Sequence, residues 1–179
     1  MSNFLVPMES KLNQGKFTKD EVIGIVFSKL MPGRSWVFAD IGSGTGRVAE
    51  FFSRYVHKVY AVEVDGELVS RLEEKFRGTN VEVIYSDGYD FLKEHEVDGV
   101  FFGGTRDIER MIDVCRANRI AVNCARMDVA LRVAEKLKEK GMFEEIVLAS
   151  ISKSYELAGG MAFKSYNPVF VVVGHALRS

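Results

Sequence analysis

The stretch from Phe38 to Phe52, FADIGSGTGRVAEFF, decides the fold of this chain. Apolar residues lead into a loop with glycines at alternate positions, Gly42, Gly44 and Gly46, and an amphipathic segment follows. A buried strand, a glycine-rich turn and a helix N-terminus form the nucleotide-binding unit of parallel α/β proteins. The loop therefore predicts a ligand that contains a nucleoside.

An alternation of strands and helices surrounds this loop. Apolar strands are predicted at residues 35–40, 58–64, 80–86, 97–103 and 119–125. Helices are predicted between and after them, at residues 48–57, 66–77, 89–95, 105–117 and 127–140. Strands that alternate with helices of this kind form right-handed crossovers and a doubly wound parallel sheet.

The pattern changes after Gly141. Two further strands, at 142–152 and 165–174, are separated by a glycine-containing loop that is too short for a crossover helix. They must therefore pair as an antiparallel hairpin. The predicted fold is α/β, a doubly wound sheet of seven strands, of which five are parallel and two form the C-terminal hairpin.

A further helix is predicted ahead of the first strand. Thr18 and Glu21 have the spacing of a capping box, and Pro32-Gly33 ends the helical periodicity. No repeat or linker divides the chain. We interpret residues 1–179 as a single domain in which residues 1–17 form an N-terminal arm.

Composition excludes several classes of protein. Hydrophobic residues make up 47% and charged residues 27%, which is typical of a globular protein. A formal net charge of −1 argues against a nucleic-acid coat. The longest apolar run, Val169–Val173, is far shorter than a membrane span, and no leader is evident, so we expect a cytoplasmic protein. The two cysteines and three histidines show no metal-ligand spacing, so no metal is expected.

The residues around the glycines favour one nucleotide over another. A dinucleotide-binding loop carries its third glycine where this chain has Arg47. Asp40, just before the loop, would repel a pyrophosphate but suits the ammonium and sulfonium groups of S-adenosylmethionine (SAM). The loop therefore predicts SAM as the cofactor.

Two more carboxylates follow neighbouring strands. Glu63 ends the second strand, where a carboxylate accepts the hydroxyls of a ribose in either SAM or NAD. Asp87 follows the third strand, where it could hold the adenine amino group or could cap the next helix. Cys124 is interpreted as a small, buried apolar side chain.

Several motifs together resemble one family, the stand-alone cobalt-precorrin C15-methyltransferases (decarboxylating), within the class I SAM-dependent methyltransferases. They are TKDE at 18–21, FSKL at 27–30, DIGSGTG at 40–46, FFGGT at 101–105, AVNCAR at 121–126 and NPV at 167–169. The resemblance implies a Rossmann-like fold, a homotetramer and an anionic tetrapyrrole, a cobalt-precorrin, as substrate. The arginines between residues 104 and 140 would then meet the carboxylates of that substrate.

The resemblance also implies roles for individual residues. The cofactor-binding residues would be Thr18, Asp40, Gly42, Ser43, Gly44, Thr45, Gly46, Glu63, Asp87, Gly88 and Gly103. The candidates for catalysis are Gly104, Asn123, Arg126 and Tyr155, with Lys153 and Tyr166 beside them.

Two alternatives stay open on the sequence. The chain could be a SAM-dependent methyltransferase that acts on tRNA or on another small molecule. It lacks the Asn/Asp-Pro-Pro-aromatic element of base-amine methyltransferases after the fourth strand, where Gly103 and Gly104 stand. It could also be a non-catalytic or NAD-binding Rossmann-like protein.

Overall fold

The computed structural model describes residues 18–176, so the arm predicted for residues 1–17 lies outside the described residues. The strands are β1 Val37–Ile41, β2 Lys58–Glu63, β3 Val81–Tyr85, β4 Gly99–Phe102, β5 Arg119–Cys124, β6 Phe143–Ala149, β7 Ser152–Leu157, β8 Gly160–Ser165 and β9 Val169–His175. The helices are α1 Asp20–Leu30, α2 Arg47–Ser53, α3 Gly66–Lys75, α4 Gly88–Glu94, α5 Ile108–Val114 and α6 Met127–Glu139. Among these residues no helix has the length and apolar character needed to cross a bilayer.

The main sheet has seven strands in the order β3-β2-β1-β4-β5-β9-β6. Strands β1 to β5 are parallel, and β9 inserts antiparallel between β5 and β6. The strand order reverses between β1 and β4, where Ile41 is paired with Phe102. In an open α/β sheet, ligands bind in the crevice at this switch point, beyond the carboxyl ends of the strands.

Helices cover both faces of the sheet, as a doubly wound fold requires. One apolar core joins α1, α2 and α3 to the sheet, and its centre is the stacked pair Phe38 and Phe52, with ring centroids 4.0 Å apart. The other core joins α4, α5 and α6 to the opposite face. The predicted fold class, with its seven-stranded sheet, is confirmed.

The predicted capping box at the start of α1 is wrong. Lys19 is the N-cap residue, and no side chain of residues 18–176 caps the helix. Glu21 does not reach back to the cap, because its carboxylate lies 2.7 Å from the Nζ of Lys153. A contact with a residue distant in sequence has replaced the local one.

The segment between the last two strands of the main sheet is also different from the prediction. In place of a plain loop, β7 and β8 form a separate antiparallel hairpin. The strand predicted at 142–152 accordingly ends at Ala149 in β6. Nearly every residue of the hairpin is exposed, so its sequence lacks the buried apolar face by which a strand is usually recognised.

The helix predicted at 105–117 is shorter, and this matters for the site. Asp107 has a left-handed backbone with φ of 52°, and α5 begins only at Ile108. Residues 103–107 consequently form a loop beyond the end of β4, next to the glycine loop of β1.

Candidate active site

Two cavities meet at the switch point of the sheet. The first, of about 260 Å³, lies between the start of α1, the glycine loop and the carboxyl ends of β4 and β5. The second, of about 280 Å³, lies beyond the ends of β2 and β3. Gly42 and Gly104 line both cavities. One elongated ligand can therefore extend across the two.

The glycine loop is held by backbone hydrogen bonds. The N–H groups of Gly42 and Ser43 donate to the carbonyl of Val62, at 2.9 and 3.1 Å. Gly42 and Gly44 have φ of 74° and 57°, a left-handed conformation that favours glycine. Both line the first cavity, so the backbone itself forms its wall.

Gly46 has a different role from the other two loop glycines. It lines neither cavity. A Cβ atom at this position would lie 2.6 Å from Leu72 Cδ2 and 2.8 Å from Phe76 Cε2. The absence of a side chain at Gly46 therefore lets α3 pack against the start of α2, and the sequence pattern gave no sign of this.

Asp40 lies on the floor of the first cavity. It is only 1% exposed, and its Oδ2 accepts a hydrogen bond of 3.0 Å from the N–H of Ala49 in α2. Burial raises the pKa of the Asp40 carboxyl to about 7, and the nearby carboxylate of Glu63 acts in the same direction. A buried carboxyl of this kind is stabilised in its charged form by a cation placed in the cavity.

Glu63 stands at the end of β2 and lines the second cavity. Its Oε2 accepts from the N–H of Gly44 at 2.8 Å. Its Oε1 accepts from the N–H groups of Val64 and Asp65, at 2.8 and 3.1 Å. Because Oε2 carries one of these three bonds and a carboxylate oxygen can accept two, it retains capacity to accept one bond from a ligand hydroxyl.

The second cavity has an apolar wall and one polar edge. Ile41 and Met111 face it, and a Cβ atom on Gly88 would lie 2.5 Å from Ile41 Cγ2 and 2.8 Å from Met111 Sδ. Asp87 caps α4, since its Oδ1 accepts from the N–H of Tyr89 at 2.8 Å, and it also lines the cavity. Asp87 therefore caps α4, as one of its two interpretations predicted, and it also lies at the edge of the second cavity.

One end of the first cavity is formed by residues at the carboxyl ends of β4 and β5. Gly103, Gly104 and Asn123 line it. A Cβ atom on Gly103 would lie 2.9 Å from the carbonyl oxygen of Gly42, so the two loops approach through their backbones alone. Within residues 18–176, the Oδ1 of Asn123 is a buried oxygen without a hydrogen-bond partner.

Four residues proposed for catalysis lie outside both cavities. Arg126 is exposed and donates to Asp128 through its Nε and an Nη atom, at 2.9 and 2.6 Å. Tyr155 lies on the exposed hairpin. Lys153 pairs with Glu21, and Tyr166 lies under the ammonium of Lys19, 4.8 Å from its ring centroid. Lys153 and Tyr166 therefore attach the hairpin to the start of α1.

Thr18, Ser43 and Thr45 line the first cavity, as the resemblance implied. Arg106, one of the arginines expected to meet the substrate, lines the second cavity. Sequence reasoning missed other lining residues: Lys19, Val22, Thr105, Ala125 and Val169 in the first cavity, and Asp107 in the second. Several of them are the immediate neighbours of proposed site residues. Their position next to Thr18, Gly104 and the NPV motif was the available signal.

Cys124 is buried and takes no part in either cavity. Burial raises the pKa of its thiol to about 12. A thiol with so high a pKa is not a nucleophile at neutral pH. The prediction of a buried, apolar cysteine is confirmed.

The sheet order, its single antiparallel strand and the two joined cavities at the switch point define the class: a class I SAM-dependent methyltransferase, as the glycine loop predicted. A solved structure of this class, a SAM-dependent O-methyltransferase from Thermotoga maritima, superposes with a TM-score of 0.73 at 17% identity, covering 94% of this chain and 69% of that one. Within the class, the chain belongs to the family described as the precorrin methyltransferase domain, whose model matches residues 11–175.

Individual relatives agree with the family. A probable cobalt-precorrin-6B C(15)-methyltransferase (decarboxylating) from Archaeoglobus fulgidus is 56% identical over 162 residues, which cover 89% of this chain and 98% of the relative. The solved structure of a precorrin 8W decarboxylase from Methanobacterium thermoautotrophicum has a TM-score of 0.83 at 24% identity, covering 90% of this chain and 93% of that one. The family resemblance of the sequence motifs is confirmed.

Proposed function

We propose that this enzyme transfers the methyl group of SAM to C15 of cobalt-precorrin-6B, with decarboxylation of the acetate side chain at C12. The observation that carries the proposal is the 56% identity to the Archaeoglobus relative across nearly the whole length of both chains. The carboxyl ends of β4 and β5, which form the acceptor end of the first cavity, lie within the shared region.

The two cavities support a division of the cofactor between them. In this proposal the first cavity takes the methionine end, with the ammonium near Asp40 and the backbone of Gly42 to Thr45 along its side. The second takes the adenosine, with Glu63 toward the ribose and Asp87 and Gly88 at the adenine. The shared wall at Gly42 and Gly104, where no side chain intrudes, fits a ligand that spans both cavities.

The chemistry follows from this arrangement. When bound, SAM supplies a methyl group made electrophilic by the sulfonium. The enzyme needs no nucleophile of its own, because its contribution is to hold donor and acceptor in line and to exclude water. Gly103 and Gly104 allow the acceptor to approach closely.

The substrate carries many carboxylates and is wider than the first cavity. Lys19 lines this cavity at the start of α1, and Arg126 directly follows the lining residue Ala125. We propose that Lys19 and Tyr155 on the hairpin bind the peripheral acetate and propionate groups, and that Arg126 joins them by exchanging its exposed ion pair with Asp128 for one of these groups. Carbon dioxide leaves by cleavage of the bond between the C12 acetate carboxylate and its methylene carbon, which keeps the electron pair and takes up a proton to become a methyl group. Its departure is favoured when the reacting carboxylate is left unpaired while the others are held.

The direct test is incubation of the enzyme with SAM and cobalt-precorrin-6B, followed by mass spectrometry. The expected product has gained one methyl group and lost one carbon dioxide. Methylation without decarboxylation would overturn the second half of the proposal. Methylation of tRNA, with no reaction of the corrinoid, would overturn all of it.

We further propose a cytoplasmic, single-domain protein that assembles as a homotetramer through its hairpin. A two-stranded sheet alone is marginally stable in water. Two apolar side chains are nevertheless exposed on one face of β7–β8, where Met161 and Phe163 are about 70% exposed. A second copy of the chain would bury them. Light scattering should detect a tetramer for the wild type and smaller species for Phe163→Lys, and a wild-type monomer would refute this assembly.

A further inference from the structure

The side-chain oxygen Oδ1 of Asn123 is buried near the end of β5. A buried amide oxygen that lacks a hydrogen bond destabilises a folded protein, and such atoms are uncommon. Within the described part of the chain, this oxygen is the buried side-chain atom found without a partner, and its residue lines the first cavity. The oxygen itself has less than 1 Å² of accessible surface, so a molecule in the cavity can reach it only after the Asn123 side chain rotates toward the cavity.

The sheet fixes which part of the cavity Asn123 faces. Side chains alternate along a strand, so Asn123 lies on the same face as Ala121, the face that packs against α1 and α2. Asp40 lies on that face too, on β1, but β4 separates β1 from β5. The register places Asp40 level with Ala121, two residues before Asn123. With neighbouring strands about 4.8 Å apart and a rise of about 3.3 Å per residue, the Cα atoms of Asp40 and Asn123 are about 12 Å apart. One ammonium group cannot contact both.

We infer that the Asn123 side chain rotates toward the cavity when the methyl acceptor binds, and that its Oδ1 then accepts a hydrogen bond from an O–H or N–H group of that molecule. In this assignment the buried carboxyl of Asp40 binds the ammonium of SAM, and Asn123 binds the acceptor at the other end of the first cavity. The identity of the acceptor, a corrinoid, rests on the proposed function. The assignment of Asn123 to the acceptor and not to SAM rests on the sheet geometry.

The substitution Asn123→Leu removes the oxygen at similar volume. Because an unpaired buried oxygen destabilises the ligand-free protein, its removal should raise the melting temperature by about 2 °C or more. The Kd for SAM, measured by calorimetry, should stay within about twofold, because a site outside the donor contacts contributes little to donor binding. The KM for cobalt-precorrin-6B should rise at least about tenfold, as expected for loss of a buried hydrogen bond.

The matched control is Val171→Ala, at the position of β9 paired with Asn123. Val171 is fully buried and lines neither cavity, so this change should lower the melting temperature and leave the acceptor KM unchanged. A lower melting temperature for Asn123→Leu would mean that the oxygen has a partner in the folded chain. A loss of SAM affinity as large as the rise in KM would assign Asn123 to the donor. Either result overturns the inference.

These outcomes are separable from failure of the proposed function. If the wild type does not act on cobalt-precorrin-6B, the proposed substrate is wrong. The melting temperature and the SAM titration still decide whether the Asn123 oxygen is unpaired and outside the donor contacts. If the wild type is active and Asn123→Leu keeps its KM, the proposed function stands and the inference fails.

Discussion

Lowering the pH should weaken SAM binding through a single buried carboxyl, that of Asp40. Burial raises its pKa to about 7 in the free protein, so near neutral pH about half of the molecules carry a protonated Asp40. A protonated carboxyl has no charge to offer the ammonium of SAM. As the pH falls through 7, the charged form is lost and affinity should fall with it.

The size of the effect follows from the ionised fraction. With a pKa of about 7, Asp40 is about 50% ionised at pH 7 and about 3% ionised at pH 5.5, so the Kd for SAM should rise about 16-fold over this range. The ammonium of SAM, with a pKa of about 8, stays protonated throughout. All three histidines lie in the described part of the chain, and none lines either cavity.

Isothermal titration calorimetry measures both the affinity for SAM and the number of protons released when SAM binds. At pH 7, SAM binding should release about half a proton, seen as a dependence of the heat on the ionisation enthalpy of the buffer. The Asp40→Asn variant should bind SAM more weakly at pH 7, with no release of protons. Methylthioadenosine, which lacks the amino acid end, should bind wild type with a flat pH profile. A flat profile for SAM, or an equal slope for methylthioadenosine, would refute the role of Asp40.

Other predictions concern stability and the glycines. Relative to Asp40→Asn, wild type should lose about 2 to 3 kcal/mol of unfolding free energy between pH 5 and pH 8 in urea titrations, because the raised pKa favours the folded state only at low pH. Gly46→Ala should cost about 2 to 4 kcal/mol of stability, since its Cβ would meet Leu72 in a left-handed backbone, and a loss below 1 kcal/mol would contradict this. Gly103→Ala should destabilise the ligand-free protein by about 1 to 3 kcal/mol, whereas Gly104→Ala, whose Cβ meets nothing within 4 Å, should keep stability within about 0.5 kcal/mol and still weaken SAM binding. Equal SAM affinity of wild type and Gly104→Ala would argue against a ligand that spans both cavities.

The location of the predicted cofactor-binding residues at one end of the sheet could be predicted from sequence, because it depends on local structure. The glycines, Asp40 and Glu63 are placed by the strands that they follow, and hydrophobic periodicity locates those strands. Asp87 shows the limit of such reasoning. The same carboxylate caps α4 and borders the second cavity, and a sequence pattern cannot separate two roles that one side chain performs together.

Contacts between distant residues were not predictable. The need for a bare Gly46 comes from Leu72 and Phe76 on another helix. Glu21 bonds Lys153 across more than a hundred residues, which removed the expected capping box. Arg126 resembled a free cation in the sequence, but Asp128 lies two residues away and binds it. The missing hydrogen bond of the Asn123 oxygen could not be predicted, because it depends on the positions of all its neighbours in the fold.

Ala149, at the end of β6, is paired with Val169, at the start of β9, in the main sheet. The two ends of residues 150–168 are therefore fixed side by side, whatever the length of chain between them. Such a segment can be shortened, lengthened or exchanged for that of a relative while β6 and β9 keep their register. Under the proposal that Tyr155 contacts the substrate, exchange of this segment should change acceptor binding and leave the residues that line the two cavities in place.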